Sequence, residues 1–458
     1  MRILLVSPKS SFPDVTPGSL RVPQLTLPVL AALTPSEHDV LMIEEEFEPL
    51  PLDTHWDLVG ITAMTATARR AYELASLFRC NEANVVLGGI HPSVLPDEAA
   101  QFADAVVVGE AEGVWQKVLD DVRLNRLREF YYNLHPDISE SPLPVHRRKR
   151  SILGLHSYVM PVIASRGCPY DCEFCCVPRI YGRRQRHMSI EHISEGIQRT
   201  GAKRVMFLDD NIGGVRTYAI RLFAALEPLK VTWYGQASAR FILDDELFDA
   251  ALRSGLEALF VGVESIEPEA RRKMRKSLRS MQMYERAMKR CRSAGVIFHA
   301  SLIFGGDEDT PDVFERTLEF LLRNSVPSIS PCILTPYPGT PLFERLMREG
   351  RVLHTNWAFY DHTTVCHQPK SMAPEELAER YLDFRDSFFS YSSIIQRGYA
   401  QLRVAPLVYL AANLAYRRTT KLMEEHCRNY FNWLYQQESR PTPDRVKAPT
   451  ATEPDTAL

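Results

Sequence analysis

No run in this 458-residue chain approaches the roughly 18 consecutive apolar residues that a membrane span needs. The longest apolar candidate, "VAPLVYLAANLAY" at 404–416, is too short and is followed by "RRTTK". It reads as a core helix, with a membrane-surface helix as the alternative. An excess of positive charge is also missing. The formal net charge is −3, which gives no footprint for nucleic acid. The opening "RILLVS" is too short for a signal peptide and reads as a first strand. Cysteine is scarce as well, nine residues in all. An odd, mostly scattered set excludes a disulfide framework and points to a reducing, cytoplasmic compartment. Finally, no G-x-G-x-x-G occurs at a strand end, so a dinucleotide is not specifically supported.

What is present is alternation. The length calls for two or three domains. The first 125 residues run strand, helix, strand through "RILLVS", "DVLMIE", "LVGITA", "NVVLGG" and "AVVVGE", with helices over 25–33 and 67–78. Five strands with crossover helices predict a parallel, doubly wound α/β domain with its ligand crevice beyond the carboxyl strand ends. Residues 126–158 are polar and turn-rich, with a basic cluster at 147–150, and read as a linker. A second alternating series spans 159–345: "VMPVIASRG", "RVMFLDDN", "VTWYGQAS", "ALFVGVES", "VIFHASLIFGG" and "SISPCILTPYPG". Six βα units predict a partial barrel whose site is built at the strand ends. Residues 346–438 read as mainly helical, and 439–458 as a disordered tail.

Four of the nine cysteines crowd into "SRGCPYDCEFCC" at 165–176, directly after the first strand of the second series. Cys168, Cys172 and Cys175 form C-x-x-x-C-x-x-C. Three thiolates on one loop suit iron–sulfur ligation and leave one iron of a 4Fe–4S cube open to a small molecule. Zinc is the competing metal, but it favours four ligands in separated pairs, and the chain has no second C-x-x-C. Cys176 is the expected non-ligand, because adjacent cysteines do not readily share one cube.

This motif on the first barrel strand resembles the radical S-adenosylmethionine (SAM) enzymes. The resemblance implies that Cys168, Cys172 and Cys175 hold a 4Fe–4S cluster whose open iron chelates SAM. Reductive cleavage of SAM then yields a hydrogen-abstracting radical. It further implies a SAM site at Asp209, Asp210 and Asn211, at Gln236 and Ser238, at Glu264 and Ser265, and at Gly305 and Tyr337. Residue by residue, each could instead be a strand end that caps a helix. The first domain is similar to the cobalamin-binding domain that precedes the barrel in one radical SAM subclass. That likeness puts Thr62, Thr65, Gly88, Gly89, His91, Gly109 and Glu110 at corrin-facing loops. A cobalt-ligating D-x-H-x-x-G is absent, as in members that hold cobalamin without a histidine on cobalt and equally as in a domain that has lost cobalamin, and His91 reads as a loop histidine rather than a cobalt ligand.

The expected activity is cobalamin-dependent methyl transfer to an unactivated carbon of a small or lipid-like metabolite. The alternatives are a radical oxidoreductase or cyclase of like architecture, and a non-catalytic iron–sulfur sensor. A flavodoxin or ferredoxin is the expected electron donor, with peripheral membrane contact open. Tyr360, Asp361, His362 and His367 are candidates for the pocket. So are the aromatics Phe384, Phe388, Phe389 and Tyr391.

Overall fold

The computed structural model describes residues 1–10, 24–144, 159–275, 280–399 and 406–438. The basic cluster at 147–150 and the tail 439–458 lie outside them.

The first sheet contains β1 (Arg2–Ser7), β2 (Asp39–Glu44), β3 (Leu58–Thr62), β4 (Asn84–Gly88), β5 (Ala105–Gly109) and β6 (Phe130–Asn133). The strands are all parallel, in the order β2-β1-β3-β4-β5-β6. Alternate β1 side chains serve two cores: Leu4 and Val6 pack on one face, Ile3 and Leu5 on the other. That explains the unbroken apolar runs of these strands, since a sheet covered on both sides buries both. The order reverses between β1 and β3, which opens a crevice at their carboxyl ends. The sixth strand corrects the expectation of a linker from 126 onward. β6 is only "FYYN" and sits among polar residues. Its pairing with β5, not its own pattern, makes it a strand.

The second sheet holds β7 (Val159–Val162), β10 (Arg204–Phe207), β11 (Thr232–Ala237), β12 (Leu256–Glu264), β13 (Ile297–Phe304) and β14 (Ser328–Ile333), again all parallel and in sequence order. Between β7 and β10 the chain makes an excursion whose base is a small antiparallel pair, β8 (Ser165–Arg166) with β9 (Arg186–His187). The cysteine loop is held between them.

Burial along β13 and β14 alternates strictly. Phe298, Ala300, Leu302 and Phe304 are buried in the core under the helices, while His299, Ser301, Ser330 and Cys332 point into the barrel and stay half-exposed. A filled barrel buries both faces; this one keeps a lumen.

Helices Pro374–Phe388 and Pro406–Glu438 cover the barrel's outside. Phe384, Phe388 and Phe389 belong to the barrel core, so they do not face a substrate, while Tyr391 stands in solvent. The 404–416 stretch contributes to both environments: Tyr409 and Asn413 are buried, Leu410 is exposed. No helix among the described residues is long and apolar enough to cross a membrane.

Candidate functional site

The carboxyl ends of β3, β4 and β5 border a solvent-open cleft of about 820 Å³. Thr62, Gly88, Gly89, Gly109 and Glu110 line it, over an apolar floor that includes Leu25, Val29, Ile61 and Val107. Two of the glycines are obligatory. A Cβ on Gly109, at φ +97°, would fall 2.3 Å from the Asn133 carbonyl, and one on Gly89, at φ +98°, 2.8 Å from that of Ala63. The cleft's far wall comes from the barrel: Ile163, Arg166 and Tyr181. The crevice of the first sheet thus opens directly onto the cysteine excursion.

Two expected members of this cleft lie elsewhere. His91 is fully buried behind it. Its Nδ1 is 3.4 Å from Thr65 Oγ1 and its Nε2 3.4 Å from Glu98 Oε1. Trp357 Nε1 donates to the same Glu98 oxygen at 2.8 Å, tying the first domain to the helical region. Burial alone would raise the Glu98 carboxyl, but His91 and Trp357 hold it below its ordinary value. The pair Thr65–His91 is therefore part of the scaffold. Glu110 does line the cleft, yet its carboxylate is committed. Arg166 Nη1 donates to Glu110 Oε2 at 2.5 Å and Arg186 Nη2 to Oε1 at 2.6 Å, while Arg166 Nη2 reaches Glu112 at 2.6 Å. These buried pairs clamp the loop after β5 onto β8 and β9. Burial works against the charged form of Glu112, and Arg166 overrides it, holding the carboxyl low.

On the excursion, Cys168, Cys172, Cys175 and Cys176 are all half-buried, and no disulfide joins any of the nine cysteines. Gly167, at φ +93°, allows the turn: a Cβ there would meet three carbonyls within about 3.0 Å. Burial raises the Cys175 thiol, and the neighbouring Cys176, Cys172 and Asp210 add to it. A thiolate in that setting asks for positive charge alongside, which iron supplies. Among the described residues no three His, Cys, Asp or Glu side chains converge as on a single ion. A cube differs in taking each sulfur on a separate iron. The donor set fits a cluster.

At the barrel's strand ends the polar residues divide. Asp209 is buried, with Oδ2 accepting from Ala164 N at 3.0 Å and Oδ1 from the Ser165 hydroxyl. Burial lifts its carboxyl to about 7. Ser265 accepts from Glu267 N at 3.0 Å and presents its carbonyl to Arg271 at 2.5 Å. Gly305 is bound through its amide to Asp309 and through its carbonyl to His367, each at 2.9 Å. Tyr337 donates to the Tyr360 carbonyl at 3.0 Å and lies 3.0 Å from His362. Asp361 spends both oxygens on Thr363, Thr364 and His426. Asp209, Ser265, Asp361 and His367 each make hydrogen bonds within the scaffold, and His367 keeps its Nδ1 buried without a partner.

Others remain open. Asn211 is buried with Oδ1 unpartnered, an acceptor in want of a donor such as a ligand ammonium. Asp210, lifted by burial to about 6, lies close enough to Cys175 and Cys176 to raise both thiols. Gln236 is exposed and Ser238 half-exposed. Glu264 sits at φ +66°, where the β12–β13 register slips, and its Oε2 is 3.5 Å from Ser301 Oγ. Left-handed backbone at a buried glutamate is a strain that marks functional sites. The lumen also holds residues that strand-end reasoning missed. His299 stacks on Phe260 with centroids 5.0 Å apart and meets Ser330 Oγ at 2.8 Å. Burial drops His299 to about 4, so it is neutral. The signal was available: "FHASLIF" places His299 and Ser301 two apart in an apolar strand.

Comparison with known proteins agrees with this geometry. Residues 162–321 match the radical SAM superfamily and residues 30–119 the B12 binding domain. The chain is 31% identical over 442 residues to bacteriochlorophyllide d C-12(1)-methyltransferase of Chlorobaculum tepidum, covering 92% of this chain and 94% of that protein. It is 28% identical to the hopanoid C-2 methylase of Rhodopseudomonas palustris, over 77% of this chain and 71% of that one. Among solved structures, the radical SAM methyltransferase TsrM of Kitasatospora setae, with cobalamin and a [4Fe-4S] cluster bound, superposes with a TM-score of 0.66 at 14% identity. It covers 94% of this chain and 99% of that one. The cobalamin-dependent SAM radical enzyme OxsB gives 0.64 at 14% identity, over 91% and 71%.

Proposed function

Because this chain belongs to the cobalamin-dependent radical SAM methyltransferases, we propose that it methylates an unactivated carbon of a polycyclic, largely apolar small molecule. The family's cofactors are a 4Fe–4S cluster, SAM and cobalamin. When bound, they supply a hydrogen-abstracting radical and a methyl donor. The protein's own task is to hold them in register and keep water out.

In this reading Cys168, Cys172 and Cys175 ligate the cluster, and Cys176 does not. Asn211 Oδ1 would be the acceptor for a SAM ammonium, and Asp210, bonded to the Gly167 amide, would lie beside the cluster loop. Gln236, Ser238 and Glu264 line the rest of the SAM groove, with Gly305 and Tyr337 closing it. Gly88, Gly89 and Gly109 let backbone approach the corrin, and Thr62 offers it a hydroxyl. Among the described residues no histidine, lysine or cysteine lines the cleft.

One observation carries the reading: Ile163, Arg166 and Tyr181 of the barrel line the same cleft as Gly88, Gly89 and Gly109 of the first sheet. Two strand-end sites that share a wall can act on one substrate between them. Bacteriochlorophyllide- and hopanoid-modifying relatives favour a large, mostly hydrocarbon substrate. The test is anaerobic turnover of reconstituted protein with methyl-labelled SAM and a strong reductant, offered a chlorin and a hopanoid in parallel. Label in a carbon–methyl bond of one of them is expected. Deoxyadenosine release with no label in either scaffold would overturn the substrate class.

A further inference from the structure

The segment after the barrel reaches back to its mouth. Trp357 is bonded to Glu98 and meets the His91 ring edge-on, centroids 5.4 Å apart. Gly339, at φ +77°, packs against Val94, where a Cβ would fall 3.0 Å from Cγ1. The loop after β14 and the residues around Trp357 therefore lie at the seam between the first domain and the barrel. There the structure fixes one imidazole. His362 stands at φ +67°, in a turn that Asp361 holds through the amides of Thr363 and Thr364, each at 2.9 Å. Its own carbonyl accepts from Ile333 N, at the last residue of β14, at 2.7 Å. A non-glycine residue in left-handed backbone, tied on both sides, is held in place at a cost in strain.

The ring is held as firmly as the backbone. Tyr337 Oη donates to the Tyr360 carbonyl at 3.0 Å, so toward His362 Nε2, also at 3.0 Å, the same oxygen accepts. That assigns the proton to Nε2 and leaves the Nδ1 lone pair without a partner among the described residues. Tyr337 stands close enough to the lumen-facing Cys332 and to Cys176 of the cluster loop for both thiols to raise its phenol. His362 meets that ring edge to face, centroids 5.1 Å apart. The residue is exposed, yet the protein around it lowers its imidazole below the ordinary value, as for a group that looks into a recess rather than open water. An imidazole whose second nitrogen donates to a fixed oxygen is oriented as metal-binding histidines are. A hydrocarbon offers that lone pair nothing.

We propose that His362 binds the substrate through its metal: Nδ1 takes an axial position on the central ion of a metallated chlorin, displacing a solvent molecule. The inference rests on the polycyclic substrate read above and decides between its two scaffolds, since of these only a chlorin carries a ring-bound metal ion. Neutral imidazole is a common ligand for such ions. One axial bond sets the plane and centre of the macrocycle beside Tyr337 and the SAM groove. Apolar contacts around the rim then choose which peripheral carbon faces the reacting groups.

The test uses reconstituted full-length protein and two probes, zinc pheophorbide a and metal-free pheophorbide a, titrated anaerobically and followed by absorption and magnetic circular dichroism. Wild type is expected to bind the zinc form about tenfold more tightly, with the spectral shift of an added axial nitrogen. His362→Gly, chosen because glycine suits this backbone, removes both the shift and the preference, and added imidazole restores the shift of the bound chlorin. Tyr337→Phe keeps the ligand but loses its orienting oxygen, and weakens zinc-chlorin binding by about tenfold. Iron content and thermal unfolding show that each variant is folded. The proposal falls if wild type takes the two chlorins equally tightly, if it takes neither, or if the shift survives in His362→Gly. Each of those results leaves the polycyclic substrate class standing, which methyl labelling of either scaffold decides on its own.

Discussion

The two strand-end regions of this protein solve the same problem with different materials. At the first sheet, the ligand-facing positions are chiefly glycine and aliphatic. Its charged residues, Glu110 and Glu112, are spent on holding the barrel. At the barrel, nearly every strand ends in a polar side chain, and about half of these are spent on the barrel itself. Asp209 pins β7, and Ser265 anchors the turn after β12. The difference teaches that polarity at a strand end does not identify a ligand contact. The useful question is where the hydrogen bonds already go.

The largest effect should come from removing the cluster's thiols. Replacing Cys168, Cys172 or Cys175 with Ala is expected to abolish iron binding and SAM cleavage while cobalamin binding persists. Iron analysis and the cobalamin absorbance band check this in one sample. Loss of both cofactors would show that the two regions are not separable. Cys176→Ala is expected to retain iron.

Next in size is the clamp that joins the regions. Arg166 sits at 15% side-chain exposure between carboxylates at 2% and 8%. Removing one partner of a buried pair costs about 3–5 kcal/mol, because the other charge is stranded. Arg166→Met should therefore lower thermal stability sharply, and Arg166→Met with Glu112→Gln should recover part of the loss, Glu110 keeping Arg186 as its partner. If the double variant is no better than the single one, the network is not acting as a unit.

A finer cut separates ligand contact from scaffold within the barrel. Asn211→Ala is expected to raise the KM for SAM about tenfold, as one lost hydrogen bond to a charged group implies, with little change in unfolding temperature. Ser265→Ala should do the reverse, costing about 1 kcal/mol of stability and leaving KM in place. Equal behaviour of the two variants would erase the division drawn above.

The sequence made the architecture legible because parallel strands buried on both faces leave continuous apolar runs, and "LVGIT" and "AVVVG" are of that kind. It concealed β6, whose four residues gain their identity from β5 alone. The cysteine loop was legible because its chemistry needs a fixed local spacing. The commitments of Glu110 and Glu98 were hidden for a shared reason. Their partners Arg166, Arg186 and Trp357 lie far along the chain, and no local pattern announces a bond across so many residues. His299 escaped attention because it lies within a strand rather than at its end.

Asp209 supplies the smallest effect and the sharpest one, since its scaffold role carries a titration signature. Burial raises its carboxyl to about 7, against the backbone amide of Ala164 and the Ser165 hydroxyl, which favour the charged form. An acid whose folded value lies above its unfolded one holds a proton in the native state that the unfolded chain has released. Stability from this group is therefore full at low pH and falls as pH climbs toward 7. Between pH 6 and 7 the loss is about 1 kcal/mol. Asp309, also raised by burial to about 7, slopes the same way. Asp209→Asn keeps an acceptor for Ala164 and has nothing to titrate. Thermal unfolding followed across this range should then show a shallower slope for the variant than for wild type, with the curves closest at the acid end. A ligand-binding Asp209 would instead leave the slope alone and move the KM for SAM.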